Sequence, residues 1–234
     1  MISIRRSHER GLAEHGWLKS RHSFSFAEYF DPKHMGFGFL RVINEDWIQG
    51  GRGFGAHPHR DMEIITYVVS GSLAHRDSLG NTSVIRPDEV QRMTAGTGII
   101  HSEMNPDPET ETHLFQIWIV PREKGLTPGY RQRSFADDLR NGGPVLVVSP
   151  DGRLGSIPIN QDVAMSIVRL ENGNDARIPL DSRRAIWVQV VSGEVSVSGL
   201  ALGAGDAAAI HGDAHVHLGT ESRAEALIFD LAFP

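Results

Sequence analysis

The chain contains no cysteine among its 234 residues. That excludes disulfide cross-links, thiolate metal sites and a cysteine nucleophile, so any redox change has to reside in a bound metal or a substrate. Dense runs of Lys or Arg are also missing, and 23 basic against 29 acidic residues give a formal charge of −6. Nucleic-acid binding rests largely on neutralising phosphates, so direct contact with DNA or RNA is not expected. No apolar stretch approaches the roughly 20 residues that span a bilayer. The opening segment Met1-Ile2-Ser3-Ile4-Arg5-Arg6-Ser7-His8 lacks the apolar core of a secretory signal. The expectation is a cytoplasmic, monomeric protein with no membrane association.

What is present reads as β-structure. Hydrophobic content of 40% with 22% charged residues is ordinary for a globular chain, and the length suits one large all-β domain or two small ones. Strand-like runs at 62–69, 72–76, 82–85, 89–93 and 112–120 are separated by turn formers such as Ser70-Gly71 and Arg86-Pro87-Asp88. Such spacing points to a sandwich or barrel. Earlier, Phe24/Phe26 and Phe37/Phe39 alternate with other residues as half-buried strands do, their rings forming core or lining an apolar pocket. Asp31-Pro32 and Asn44-Glu45-Asp46 read as turns. Asn105-Pro106-Asp107-Pro108 reads as a loop, and residues 121–129 end this first β region. A short helix is expected within 130–139, and Asn141-Gly142-Gly143-Pro144 punctuates the chain. The strand rhythm then resumes at 145–149, 157–161, 164–170, 185–192, 194–198, 207–210 and 226–231. Its repetition predicts two related β domains, residues 1–140 and 141–234.

Two segments carry the chemistry: Gly55-Ala56-His57-Pro58-His59-Arg60-Asp61-Met62-Glu63 and Ala95-Gly96-Thr97-Gly98-Ile99-Ile100-His101-Ser102-Glu103. Each holds two metal-ligand types one residue apart, His57/His59 and His101/Glu103. On a strand, residues i and i+2 share a face, so each pair projects to one side of a sheet. Three imidazoles and a carboxylate can surround one divalent first-row ion and leave positions open for water or substrate. A lone His-x-His is often only a pair of structural histidines; two such pairs about forty residues apart, with glycine-rich flanks, form a stronger signal.

The other histidines read more plainly. His75 is expected on the surface or in the pocket wall, and His113 in the core or barrel lining of an alternating strand with Phe115, Ile117 and Ile119. His8, His15, His22 and His34 lack paired spacing. His215-Val216-His217, with His211 nearby, repeats the i, i+2 pattern but has few ionisable partners, so surface histidines or relics of a duplicated fold are expected there.

The spacing Gly51-(five residues)-His57-x-His59-(three residues)-Glu63 resembles the first cupin motif, and Gly98-x-x-His101-x-x-x-Asn105 part of the second. The longer strings from His57 to Val68 and from Gln91 to Glu103 are similar to the pirin branch of the cupins, near the bacterial pirin-like quercetin 2,3-dioxygenases. The resemblance extends from Gly16-Trp17 to the terminal strands. It implies a bicupin of two face-to-face β-barrels, with one metal held in the N-terminal barrel and none in the C-terminal one. It also implies His57, His59, His101 and Glu103 as ligands. Ordinary cupins would draw the carboxylate from the first motif, here Glu63; the pirin pattern makes that residue supporting rather than ligating. Two departures are visible: Ser70 stands where glycine is usual, with Gly71 one place later, and Gly96 replaces a common proline.

Iron is the metal the resemblance favours; copper, nickel, manganese and zinc also suit these donors, although zinc has no redox chemistry. The implied activity is a dioxygenase that opens the ring of quercetin-like flavonols with O2, with Glu103 as the catalytic base. The alternative is a non-enzymatic, redox-responsive metal protein acting as a transcription-factor cofactor, which would need a protein partner.

Overall fold

A computed structural model describes residues 1–171 and 173–232. Nearly every ordered segment is a strand, and Ala136–Leu139 is the one α-helical turn among the described residues. In the first half a seven-stranded antiparallel sheet runs Gly129–Ser134, Glu89–Thr94, Glu63–Ser70, Thr112–Ile119, Leu40–Ile48, Leu18–His22, Gly11–Glu14. A four-stranded sheet, Gly53–His59, Ile99–Met104, Leu73–Asp77, Thr82–Ile85, accompanies it. The second half repeats the plan. Its seven strands are Ile2–Arg5, Ala207–His211, Arg184–Ser192, Ala224–Ala232, Val163–Leu170, Gly143–Ser149 and Ile157–Pro158, and its small sheet is Asp175–Pro179, His215–Gly219, Glu194–Val197, Leu200–Gly203. The strand Ile2–Arg5 therefore pairs with Ala207–His211, far from it in sequence.

Side chains alternate across a strand, so each large sheet has two faces to cover. One face of each meets the other in a shared core: Ile43, Ile65, Phe115 and Ile117 from the first sheet, with Met165, Ile167, Phe229 and Leu231 from the second. Phe24 and Phe37 both lie against Trp187, at ring distances of 4.9 and 5.6 Å. Neither sits on a regular strand; Phe26 and Phe37 make only isolated bridges. Core packing therefore accounts for Phe24 and Phe37, and Phe26 turns into a cavity instead.

The remaining faces differ between the halves, and this difference positions the site. In the second half the space between large and small sheets is apolar throughout, filled by Ile186, Val188, Ile228, Val195, Val216 and Leu218 among others. In the first half apolar clusters occupy the two ends, around Leu73 and Leu114 at one and Ile64 and Met93 at the other. Between them runs a polar row in which Asn44, Gln116, Thr66 and Gln91 are successive register partners. An interior with unfilled hydrogen-bonding capacity between two dry ends suits a bound polar group.

Asn44-Glu45-Asp46, expected as a turn, lies inside the strand Leu40–Ile48, each residue 3–4% exposed. Partners from neighbouring strands make this tolerable. Asn44 bonds His22 at 2.8 Å, Glu45 pairs with Arg10 and His113, and Asp46 accepts from Ser20. Both departures from the cupin motifs have conformational reasons. Gly71 has φ +76° and takes the turn one residue late. Gly96 has φ +45°, outside the range proline can adopt, and a Cβ there would run into the Leu126 carbonyl.

Candidate metal centre

Both ligand-bearing segments fold as strands of the same four-stranded sheet. Gly53–His59 pairs with Ile99–Met104, His57 standing directly opposite His101. Between His101 and Glu103 the register shifts, so that Glu103 faces Phe54. This bulge places an extra residue on the Gly53–His59 strand, which lets Phe54 as well as His57 and His59 line the interior cavity. On the other side of Ile99–Met104, His75 stands opposite Glu103, so the same face gains a third imidazole-bearing strand.

One donor atom from each of His57, His59 and His101 lies within 4.8 Å of the other two. The rings of His57 and His101 are 4.4 Å apart, and His59 is 4.8 Å from each. A second group, His75, His101 and Glu103, meets the same limit, so His101 is the joint between the two. Donors ~2.0–2.2 Å from one ion stand at most about twice that apart, and three spread around it stand closer still, so the three imidazoles draw together when they share an ion.

Hydrogen bonds set the free lone pairs. His57 Nδ1 donates to the Gly55 carbonyl at 2.8 Å, leaving Nε2 available. His101 Nδ1 meets His75 Nδ1 at 3.4 Å, and His75 Nε2 meets Asp77 Oδ2 at 3.1 Å. This chain is satisfied when His101 carries its proton on Nδ1 and turns a bare Nε2 inward. Glu103 Oε2 accepts from Gln116 Nε2 at 2.7 Å, and Gln116 Oε1 accepts from the Trp118 indole at 3.3 Å. His101 Nε2 and Glu103 Oε1 are buried with no hydrogen-bond partner. An unpaired buried polar atom costs about 1–3 kcal/mol, and a cation bound by both residues would remove that cost. The residues present therefore fit a divalent ion.

Ionisation agrees with that fit. Burial, reinforced by His57, holds His59 down to about 4. Burial and the neighbouring imidazoles hold His101 down to about 3, and burial lowers His75 as well. These rings are neutral at neutral pH, the state in which an imidazole can ligate a metal. Burial raises Glu103 to about 7, partly opposed by the Gln116 hydrogen bond; a bound dication acts in the opposite direction and favours the carboxylate.

These shifts carry opposite signs in the metal-free protein. His59 and His101 bind fewer protons folded than unfolded below the usual 6.5, so their contribution is lost as pH falls towards about 4 and about 3. Glu103 binds more protons folded than unfolded between 4.5 and about 7, so it gains stability on acidification. The two trends offset. Metal-free Glu103→Gln should therefore lose urea resistance between pH 7 and pH 5 more steeply than metal-free wild type. Parallel urea midpoints at the two pH values would contradict the assignment.

Other predicted residues fall elsewhere. Glu63 lies on the opposite face of the large sheet, its Oε1 accepting from Asn160 at 2.9 Å and its Oε2 from Thr94 at 3.1 Å. His113 stacks on Trp47 at 4.5 Å and bonds Glu45. His215 and His217 project from the outer side of their strand while Val216 and Leu218 point into the apolar filling, and His215 bonds Arg177. His75, expected on the surface or in the pocket wall, is fully buried behind His101. It orients a ring that faces the centre, so His75→Ala should weaken metal binding about 10–100-fold with His57, His59, His101 and Glu103 all in place. Competition with a chelator measures this, and unchanged affinity would remove His75 from the centre. Residue spacing does not point to Gln116 and Trp118; the one signal is the polar Gln116 between Leu114 and Trp118 on an otherwise apolar alternating face.

A cavity of about 590 Å³ opens onto the centre, with Glu103, His57 and His59 in its lining. Trp17, Phe26, Phe54 and Trp118 give it aromatic sides, Trp17 meeting Phe54 edge-on at 5.3 Å and Phe26 meeting Trp118 at 5.4 Å. Flat aromatic walls beside an ion site suit a flat ligand that reaches the metal with one edge. No helix among the described residues is long and apolar enough to cross a membrane.

Comparison with known proteins agrees with this geometry. The family model for pirin matches residues 4–119, and that for the quercetinase C-terminal cupin domain matches residues 146–231. The chain is 47% identical over 231 residues to quercetin 2,3-dioxygenase of Escherichia coli strain K12, covering 99% of each. It is 43% identical over 237 residues to a putative quercetin 2,3-dioxygenase of Pasteurella multocida, covering 99% of this chain and all of that one. The crystal structure of the bacterial pirin YhhW from Escherichia coli in complex with nickel(II) superposes with a TM-score of 0.95 at 46% identity, covering 99% of each chain.

Proposed function

The chain belongs to the pirin family of cupin proteins, and from that premise we propose that its centre opens the ring of quercetin-like flavonols with dioxygen. The observation that carries this reading is the conjunction of the neutral imidazole cluster, the unpartnered Glu103 oxygen and the aromatic cavity that meets them. His57, His59, His101 and Glu103 would hold the ion. When bound, it supplies Lewis-acid stabilisation of an oxyanion and a redox partner for dioxygen.

The chain's own residues do the rest. The aromatic sides orient a flat flavonol with its 3-hydroxyl and 4-carbonyl toward the imidazoles. Glu103 takes the 3-hydroxyl proton, its carboxylate held in place by the hydrogen bond that Oε2 accepts from Gln116. A carboxylate held at that position serves as a general base. Loss of that proton makes the ring electron-rich; dioxygen adds to it, the ring opens, and carbon monoxide leaves. Walls of Phe26, Phe54 and Trp118 keep water from the reacting carbons.

Iron is the metal of this proposal, and nickel, found with the YhhW relative, is the next to test. Residues 1–140 and 141–234 act in it as two cupin units, except that the strand Ile2–Arg5 joins the second sheet, and the second unit has an apolar filling where the first has its centre. A monomeric, cytoplasmic protein completes the reading. The test is oxygen uptake and carbon monoxide release on adding quercetin to protein loaded in parallel with iron, nickel, copper, manganese or zinc. Turnover with a redox-active metal is expected. Its absence with every metal and several flavonols would favour the non-enzymatic, transcription-cofactor role instead.

A further inference from the structure

Four buried polar side chains line the cavity beside the metal centre and take no part in holding it. Ser20 and His22 alternate on one strand, Asn44 and Asp46 on the next, with Ser20 opposite Asp46 and His22 opposite Asn44. All four are at most 4% exposed. Their side-chain hydrogen bonds run within the group: Ser20 to Asp46 Oδ1, His22 Nδ1 to Asn44 Oδ1 at 2.8 Å, and Ser20 Oγ to His22 Nδ1 at 3.3 Å. These bonds leave Asp46 Oδ2, Asn44 Nδ2 and His22 Nε2 unused. A wall of this kind presents an acceptor, a donor and an imidazole nitrogen to whatever fills the cavity.

The wall is connected to the reacting end. Gln116, which holds Glu103, is the register partner of Asn44 on the adjacent strand. A flat molecule whose edge touches Glu103 therefore extends over Gln116 toward Asn44 and Asp46, between the rings of Phe26 and Trp118 on one side and Trp17 and Phe54 on the other.

We propose that Ser20, His22, Asn44 and Asp46 form a subsite that reads the hydroxyl groups on the pendant ring of the flavonol. Asp46 Oδ2 accepts from the phenolic hydroxyls, with Ser20 fixing the other carboxylate oxygen, and Asn44 Nδ2 donates to a hydroxyl oxygen. The inference rests on the flavonol reading of the centre and adds the chemical feature by which the substrate is chosen, a ring with adjacent hydroxyls. A ligand without them would leave Asp46 Oδ2 desolvated with no donor from the ligand, and a hydrogen bond to a charged group corresponds to about 10- to 100-fold in affinity.

The experiment titrates quercetin, kaempferol and galangin, which carry two, one and no hydroxyls on that ring, into the metal-loaded protein. Quenching of tryptophan fluorescence reports binding, since Trp17 and Trp118 line the cavity. Wild type should bind quercetin about 10- to 100-fold more tightly than galangin, with kaempferol between. In Asp46→Asn, and independently in Asn44→Leu, the quercetin-to-galangin ratio should fall towards one. Equal binding by wild type, or a ratio unchanged in both variants, overturns the subsite. Oxygen uptake on the same samples separates the two readings. Turnover without discrimination removes the subsite alone, ordered binding without turnover removes the dioxygenase alone, and no binding of any flavonol removes both.

Discussion

Glu103→Gln should keep its ion and lose turnover of quercetin by about 10²–10⁴-fold, the usual contribution of a positioned general base. Glutamine matches the shape of the carboxylate, and its amide oxygen can still accept from Gln116, so the side chain stays where Oε2 now sits. Three imidazoles remain to hold the metal. What disappears is the carboxylate that takes the substrate proton. Metal content by elemental analysis and kcat by oxygen electrode separate the two effects. Full activity would reject Glu103 as the base, and loss of metal in step with activity would make it chiefly a ligand.

The second large effect is expected at His101. It is the one residue common to both donor groups, and its Nε2 has no other partner. Four-ligand protein sites supply roughly 10–16 kcal/mol, so a quarter of that, lost with one ligand, corresponds to about 10²–10³ in affinity. His101→Ala should therefore release metal to a chelator that wild type resists and show no turnover at ordinary metal concentrations. His217→Ala, which alters an exposed ring on the outer sheet of the second half, should do neither.

The sequence was most legible where strand periodicity and chemistry coincided. The i, i+2 pairs His57/His59 and His101/Glu103 lie on one sheet face as the strand rule requires, and the long runs 62–69 and 112–120 became Glu63–Ser70 and Thr112–Ile119. Legibility failed where local preference and tertiary partners disagreed. Asn44-Glu45-Asp46 are turn formers by themselves and become strand residues only because Ser20, His22, Arg10 and His113 satisfy them from neighbouring strands. Phe24 and Phe26 alternate like strand residues but lie in a loop held against Trp187 and Trp118. The polar sequence of Gly129–Ser134 hides a strand in a segment, 130–139, whose pattern suggests only a short helix. Ile2–Arg5 pairs with a strand about two hundred residues away, and no local pattern announces such a partner.

Within the centre the supporting residues were harder to read than the donors. His75 has no paired spacing, and its role follows from register, since it stands opposite Glu103 across a strand whose own register is set by a bulge. Gln116 is one amide in an apolar strand, and its meaning depends on which carboxylate it meets. Sequence spacing fixes which side chains share a face; which faces meet is decided by the packing of the two sheets.

X-ray absorption at the metal edge of the iron-loaded protein tests the central claim most directly, in wild type and in Glu103→Gln and His101→Ala. One ion per chain, with three imidazoles and one carboxylate oxygen in wild type and an imidazole missing after the His101 change, is the expected spectrum. An ion whose surroundings are the same in wild type and His101→Ala would show that the metal binds elsewhere on the chain and contradict the account.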